Sequence, residues 1–178
     1  MTTVAYRDGF MACDSCYAES DMVITKRTKI VRLASGALLG SAGDSDSRHV
    51  DVLFTHVKTP RGLPTRKQLL DCQIDYHGLL VLPKGRVYFV AICQPEKDSP
   101  HGHWTGGIDE ISEGYHSIGS GSPHALTAMD FGKSAKDAVA VACRRDLNSR
   151  PPIHVVPLKK PPVVQPKVKP KVKRKTKR

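Results

Sequence analysis

Apolar and polar positions along the chain fall into several short segments with the pattern of strands rather than of long helices. Turn residues between these segments predict three hairpins, formed by Thr2–Arg7 with Phe10–Asp14, by Lys29–Leu33 with Ala37–Ser41, and by Ile74–Leu82 with Arg86–Ile92. The first turn, Asp8-Gly9, carries a particularly strong two-residue hairpin signal. Two further short strands are predicted at Tyr115–Gly119 and Ile153–Val156.

Helical spacing of apolar residues appears between the second and third hairpins and again after the third. It predicts helices from about Ser45 to Lys58, over Arg66–Cys72, from Ser122 to Phe131, and from Ser134 to about Arg145. Ser122 is expected to cap the third helix because a proline follows it. Ser134 with Asp137 resembles a capping box at the start of the fourth. Residues 94–110 read as a polar loop.

Strands grouped with strands and helices grouped with helices predict an α+β layered fold. A parallel, doubly wound sheet would need strict alternation of strands and helices, which this sequence lacks.

The positive charge of the chain is concentrated at one end. Its 178 residues include 28 Lys and Arg against 17 Asp and Glu. Ten of the basic residues and none of the acids lie in 157–178, so residues 1–156 are almost neutral. We therefore expect a folded domain over residues 1–156 and a disordered Pro/Lys-rich tail over residues 157–178. A folded surface that is a broad cationic footprint for nucleic acid is disfavoured.

Targeting signals are not apparent. No apolar run approaches the roughly 18 residues that a membrane-spanning helix needs, and the N-terminus does not resemble a signal peptide. The five cysteines are then most simply free thiols, and we expect a cytoplasmic protein that does not bind membranes.

Three candidate chemistries have weak support. Cys13 and Cys16 have redox or zinc spacing, and His101 with His103 could complete a zinc site, but nothing local requires one. The segment Gly119–Ser122 could cradle a phosphate, yet it lacks the lysine of a P-loop and the context of a dinucleotide fold. No serine or cysteine lies in a recognisable nucleophile elbow.

Thr2 offers a fourth chemistry. It is small enough for Met1 to be removed, which would make it the N-terminus. A free α-amino group titrates at roughly 7.7–8.0 and can take the proton from the hydroxyl of its own residue. An ordinary strand residue is the alternative interpretation.

The order of short motifs adds weight to Thr2. Thr2-Thr3-Val4-Ala5 opens a strand, Gly9-x-x-Ala12-x-Asp14-Ser15 ends the first hairpin, and Lys29–Leu33 opens the second. The later motifs are Leu39–Asp44, Ile118–Ser122 and Arg145–Ser149. Over residues 2–156 the sequence resembles the HslV and proteasome β-subunit family of N-terminal-nucleophile (Ntn) threonine hydrolases, and it is most similar to the compact HslV-like type that phages also carry.

The resemblance implies a four-layer αββα sandwich and a set of site residues. Thr2 matches the nucleophile, Asp14 and Lys29 the buried acid and lysine, and Gly43 the residue whose N–H binds the oxyanion. Ser120 matches the serine beside the amino terminus, and Asp146 and Ser149 match the pair that supports it. In that chemistry Thr2 is acylated by a peptide carbonyl and water releases the product.

The resemblance also implies partners and departures. It predicts peptide or unfolded-protein substrates, a homo-oligomeric ring of at least six subunits, a possible AAA+ unfoldase, and no cofactor or metal. No propeptide is expected before Thr2. The segment before the third hairpin is shorter than in proteasomal subunits, and the basic tail is not a general family feature.

Two alternative functions stay open at this point. The same fold could serve as an inactive or weakly active assembly protein. The tail could also bind nucleic acid or an acidic partner, either as the main role or as a tether for the peptidase.

Overall fold

The computed structural model describes residues 2–19, 22–24, 28–43, 48–95 and 103–159. Within these ranges the strands are β1 Val4–Arg7, β2 Phe10–Cys13, β3 Tyr17–Glu19, β4 Met22–Ile24, β5 Ile30–Arg32, β6 Leu38–Gly43, β7 Tyr76–Val81, β8 Val87–Cys93, β9 Thr105–Ile111, β10 His116–Ile118 and β11 His154–Pro157. The helices are α1 Arg48–Phe54, α2 Arg66–Leu70, α3 Ser122–Asp130 and α4 Ala135–Arg145, with a 3-10 turn at Pro60–Gly62.

Two antiparallel sheets form the body of the protein. One has the strand order β10-β1-β2-β11 and the other the order β5-β6-β7-β8-β9, while β3 and β4 form a separate hairpin. Every described strand pair is antiparallel. The prediction of a mixed fold with antiparallel sheets is confirmed, and so are the three predicted hairpins.

The first hairpin shows why local sequence predicts it well. Asp8 and Gly9 both have positive φ, at 50° and 82°, which the turn between twisted antiparallel strands requires. Val4 pairs with Cys13 across the hairpin, so the residues that precede Val4 lie opposite those that follow Cys13. This register brings the N-terminal threonines next to Asp14.

Three clusters of buried side chains hold the elements together. One packs α1 and α2 side chains such as Phe54 and Leu69 on the larger sheet at Leu80. A second draws side chains from both sheets, and a third packs α3 and α4 on β1 and β2 at Ala5 and Ala12. The smaller sheet is therefore buried on both faces. Consecutive residues of β1 point to opposite faces of the sheet, and the first three of them are buried.

The two sheets lie in close contact at Gly40. A Cβ atom there would lie 2.5 Å from Cγ1 of Val4 and 3.1 Å from Sδ of Met11. Since β6 also pairs with β5, this close approach sets the start of β5 beside the end of β2.

Residues 94–110 are not a loop throughout, contrary to the prediction. Thr105–Ile111 forms the edge strand β9, in register with β8 from Cys93 opposite Thr105. Its side chains are exposed or only half-buried, so it lacks the buried alternation that marks a strand in sequence. Two adjacent glycines hide it further, and Gly106 (φ 151°) is needed because a Cβ would overlap the Ala91 carbonyl oxygen.

The predicted start of the tail at Pro157 is too early. Pro157 belongs to β11, Leu158 is buried in the second cluster, and Arg32 donates hydrogen bonds to the carbonyl oxygens of both. The described fold therefore extends past residue 156, and residues 160–178 lie outside the described residues.

The helix limits differ slightly from the predictions. α1 spans Arg48–Phe54, shorter than the predicted Ser45–Lys58, and residues 45–47 lie outside the described residues. The N-cap of α3 is Gly121 rather than Ser122, because the Ser122 hydroxyl donates to Ser117 O, in the strand before the helix. Ser134 caps α4 as predicted, accepting the Asp137 N–H.

Candidate active site

The ends of β1, β2 and β5 meet at Asp14. Its backbone N–H donates to Thr3 O (3.1 Å), and its Oδ1 atom accepts the Thr3 N–H (2.8 Å). Lys29, which directly precedes β5, donates from Nζ to the same Oδ1 atom at 2.8 Å. Strand register thus brings the predicted site residues Asp14 and Lys29 together, next to Thr3.

The Asp14–Lys29 ion pair is buried, with side-chain exposures of 0% and 7%. A buried pair is tolerated only if hydrogen bonds satisfy its remaining polar atoms. The second carboxylate oxygen of Asp14 accepts the N–H groups of Cys16 (2.8 Å) and Arg150 (3.2 Å). The carboxylate therefore has four donors, and it ties the C-terminal loop to the N-terminal strand.

A second carboxylate organises the turn that follows β10. Asp146 Oδ2 accepts hydrogen bonds from Ser120 Oγ (2.8 Å) and Ser149 Oγ (2.5 Å), and Asn148 N donates to Oδ1 at 3.2 Å. Partial burial raises the pKa of Asp146, but the hydrogen bonds from Ser149 and Ser120 outweigh it and hold the pKa below its ordinary value. The group is a carboxylate acceptor at neutral pH.

Thr2 precedes Thr3 in the chain and lies against the turn that carries Ser120. It is 5% exposed, and Ser120 Oγ is 3.5 Å from its carbonyl oxygen. Gly119 adopts φ 91°, and a Cβ there would overlap the Thr2 carbonyl oxygen. The turn before α3 therefore needs glycine to approach the N-terminal segment.

Gly43 occupies the last position of β6, opposite Tyr76. Its φ of 135° and the nearby Asp75 carbonyl oxygen, which a Cβ would overlap, both require glycine. Two residues earlier, Ser41 N donates to Lys29 O at 3.1 Å, so β6 carries Gly43 beyond the lysine.

Two residues of this site belong to the sequence motifs but were assigned no chemical role by them. Thr3 is fully buried, and its Oγ1 atom is 2.5 Å from Ser149 Oγ. Gly121 lies against it, since a Cβ there would overlap Thr3 Oγ1. The only sequence signals for them are the repeated threonine and the second glycine of the Gly-Ser-Gly turn.

The cysteines near the site are poorly placed for thiolate chemistry. Cys13 and Cys16 are buried, and burial raises the pKa of the Cys13 thiol. Burial likewise raises the pKa of Cys143, to about 11.

His101, the proposed zinc ligand, lies outside the described residues. No metal-binding group of three His, Cys, Asp or Glu side chains, and no helix long and apolar enough to cross a membrane, occurs among the residues that the structure describes.

Solved structures with a similar backbone share one architecture. BPH from Thiobacillus denitrificans, in complex with epoxomicin, matches with a TM-score of 0.58 at 19% identity, over 89% of this chain and 99% of that one. Eukaryotic HslV from Trypanosoma brucei matches with a TM-score of 0.62 at 13% identity, over 87% and 97%. Anbu (ancestral β-subunit) from Yersinia bercovieri matches with a TM-score of 0.55 at 16% identity, over 87% and 80%.

The chain has the HslV-like Ntn fold. All three neighbours have this fold. No protein-family model matches the sequence, and no curated protein matches it. The likeness is thus carried by the three-dimensional arrangement. In this HslV-like fold, the segment 2–3 and the Asp14–Lys29 pair lie at the same end of the smaller sheet.

Proposed function

We propose that the protein is a threonine-type endopeptidase whose nucleophile is Thr2 after removal of Met1. One observation carries the proposal: the buried Asp14–Lys29 pair is hydrogen-bonded to the backbone of Thr3, the residue next to Thr2. Burying an ion pair costs several kcal/mol per ion before compensation, so its presence beside the proposed nucleophile favours a chemical role.

The first step is attack by Thr2 on the substrate. The Thr2 hydroxyl oxygen attacks the peptide carbonyl carbon, and the free α-amino group takes the hydroxyl proton. The Lys29 ammonium favours the developing alkoxide by its positive charge, and Asp14 holds that ammonium in place. The C–N bond then breaks, the leaving amine takes the proton back, and an ester to Thr2 remains.

The second step is hydrolysis of the ester. Water loses a proton to the α-amino group, attacks the ester carbonyl, and regenerates the Thr2 hydroxyl. We assign the oxyanion of both steps to the Gly43 N–H; one such donor contributes ~3–4 kcal/mol in comparable sites. Ser120, with Asp146 and Ser149, positions the amine and the water.

The HslV-like fold supports further parts of the proposal. The three core clusters favour a four-layer αββα sandwich, with the helices outside and the sheets inside. We also propose a homo-oligomeric ring of the compact type found also in phages. An AAA+ unfoldase would then deliver unfolded protein in the cytoplasm. Light scattering should report at least six subunits, and a fully active monomer would contradict the ring.

Peptide hydrolysis by three proteins tests the activity. The wild type and Thr2→Ser should cleave an unstructured peptide, because both retain a hydroxyl and an amine. Thr2→Ala should be inactive with an unchanged circular dichroism spectrum. Full activity in Thr2→Ala would refute the assignment.

A further inference from the structure

Thr3 belongs to both of the carboxylate arrangements described above. Its backbone N–H donates to Asp14 Oδ1, the oxygen that also accepts Lys29 Nζ. Its side-chain Oγ1 atom lies 2.5 Å from Ser149 Oγ, which in turn contacts Asp146. Thr3 makes both sets of contacts and is joined to Thr2 by a peptide bond.

The direction of these hydrogen bonds follows from the number of available protons. An ionised carboxylate can only accept, so Ser149 uses its single hydroxyl proton toward Asp146. Ser149 Oγ must then accept the proton of Thr3, which makes Thr3 the donor. The chain runs from Thr3 to Ser149 to Asp146, and Ser120 donates to the same Asp146 oxygen from the other side.

The site is built tightly around the Thr3 hydroxyl. Thr3 is fully buried and Ser149 is 1% exposed, so bulk water cannot replace either partner. Gly121 faces the hydroxyl at a distance that leaves no room for a Cβ, and such a Cβ would also lie 2.9 Å from Ser149 Oγ. A threonine that served only to fill space would not need this arrangement, because valine has the same shape.

We propose that Thr3 is a positioning residue that couples the Asp14–Lys29 pair to the Asp146–Ser149–Ser120 chain and so fixes Thr2 relative to both. This inference rests on the proposed function. Donation by Thr3 polarises Ser149 and makes it a stronger donor to Asp146, since hydrogen bonds in a chain strengthen one another. Asp146 in turn holds the Ser120 hydroxyl, which lies near the Thr2 carbonyl oxygen.

The test compares Thr3→Val with Thr3→Ser and with Thr127→Val. Thr3→Val keeps the shape and removes the proton, and Thr3→Ser restores it. Thr127→Val is the matched control, because Thr127 is exposed and its hydroxyl donates only to Pro123 O within α3. Thr3→Val should lower kcat by about tenfold, the effect of losing roughly one buried hydrogen bond. That tenfold loss corresponds to about 1.36 kcal/mol of transition-state stabilisation. KM should change by less than about twofold, because the loss is confined to catalysis.

A pH titration gives a readout that a merely structural role would not move. Without the Thr3 proton, the pKa of Asp146 should rise in Thr3→Val, while the acid limb of kcat/KM, which the α-amino group of Thr2 controls, should stay in place. Carbon-13 NMR of aspartate-labelled protein measures the pKa of Asp146 directly, with Asp146→Asn assigning the resonance. Thr3→Ser and Thr127→Val should match the wild type in both measurements.

The outcomes separate this inference from the proposed function. An inactive wild type would refute the proposed peptidase, while the NMR titration would still decide whether Thr3 controls Asp146. A Thr3→Val protein with wild-type kcat and an unshifted Asp146 would overturn the role of Thr3, and so would Thr3→Ser that is as impaired as Thr3→Val. If Thr3→Val does not fold, proton NMR of the wild type decides between the two directions of the hydrogen bond. A slowly exchanging Thr3 hydroxyl proton that correlates with the Ser149 Hβ protons supports donation by Thr3. A Ser149 hydroxyl proton that correlates with Thr3 contradicts it.

Discussion

Lys29 Nζ lies 2.8 Å from Asp14 Oδ1, and both side chains are almost completely excluded from solvent. The carboxylate has three backbone donors besides the lysine, so its own charge stays well satisfied if the lysine is removed. The two partners of this ion pair are therefore not equivalent for folding.

Asp14→Ala should destabilise the protein more than Lys29→Met. Removing the carboxylate deprives three backbone N–H groups of their acceptor and leaves Lys29 buried without its counter-charge, which costs about 3–5 kcal/mol. Lys29→Met keeps the apolar stem and leaves Asp14 with its backbone donors. Denaturant unfolding of the two variants measures the difference, and equal stabilities would contradict this account of the carboxylate.

Lys29→Met should nevertheless abolish peptide hydrolysis. Residues that act as one catalytic unit lose nearly the full rate when any one is removed, so its activity should match that of Thr2→Ala. The double variant should be no worse than either single variant. Independent, multiplicative losses would show that Lys29 and Thr2 do not act together.

Gly119→Ala should damage the site specifically, and Gly85→Ala is its matched control. The two glycines have nearly the same φ, 91° and 89°, so both substitutions carry the same backbone strain of ~1–2 kcal/mol. Only at Gly119 would the new Cβ overlap the Thr2 carbonyl oxygen, whereas Gly85 has open space around it. Gly119→Ala should lose activity at least ~100-fold, near the effect of misplacing a reacting group by about 1 Å. Gly85→Ala should retain full activity, and similar losses at both sites would argue against this close approach.

The stability contributed by Asp146 should depend on acid pH. Its folded-state pKa is lowered, so the contribution is fully present above the ordinary value near ~3.9 and is lost as pH falls through the lower, folded value. The melting temperature of the wild type should exceed that of Asp146→Asn at pH 6, and the difference should shrink below about pH 4. A difference that stays constant with pH would contradict a charged Asp146.

Truncation should distinguish the two possible ends of the folded domain. Removal of residues 160–178 should leave the melting temperature unchanged within ~2 °C, because these Pro- and Lys-rich residues offer little apolar surface. Removal of residues 157–178 deletes buried Leu158 and two of the acceptors of Arg32, and should cost roughly 2–5 kcal/mol. Leu158→Ala in the full chain separates the lost packing from the lost hydrogen bonds. Equal stability of the two truncated proteins would place the boundary at residue 156 after all.

The hairpins could be predicted from sequence because their signals are local. Asp8-Gly9 specifies its turn within two residues, and the turn residues 83–85 separate two apolar, largely buried strands. Strand β9 could not be predicted, because an edge strand with two glycines and no buried alternation is identified only by its pairing with β8.

The site was predictable only in part, for a similar reason. A resemblance of ordered motifs pointed to Asp14, Lys29 and Asp146, and the structure places the first two 2.8 Å apart. The contact of Thr3 with Ser149 joins residues 146 positions apart in the chain. No local pattern encodes such a contact, because it depends on how the C-terminal loop packs on the smaller sheet.

Intact-mass measurement after incubation with epoxomicin, the compound bound by the Thiobacillus neighbour, tests whether Thr2 is the nucleophile. We expect a chain without Met1 that gains one covalently retained epoxomicin under denaturing conditions, with the adduct mapped to the N-terminal peptide. Thr2→Ala should gain none, while Thr127→Val should be labelled like the wild type. A wild-type chain that retains Met1, or an adduct that maps to Cys13 or Cys16 and persists in Thr2→Ala, would contradict the threonine mechanism.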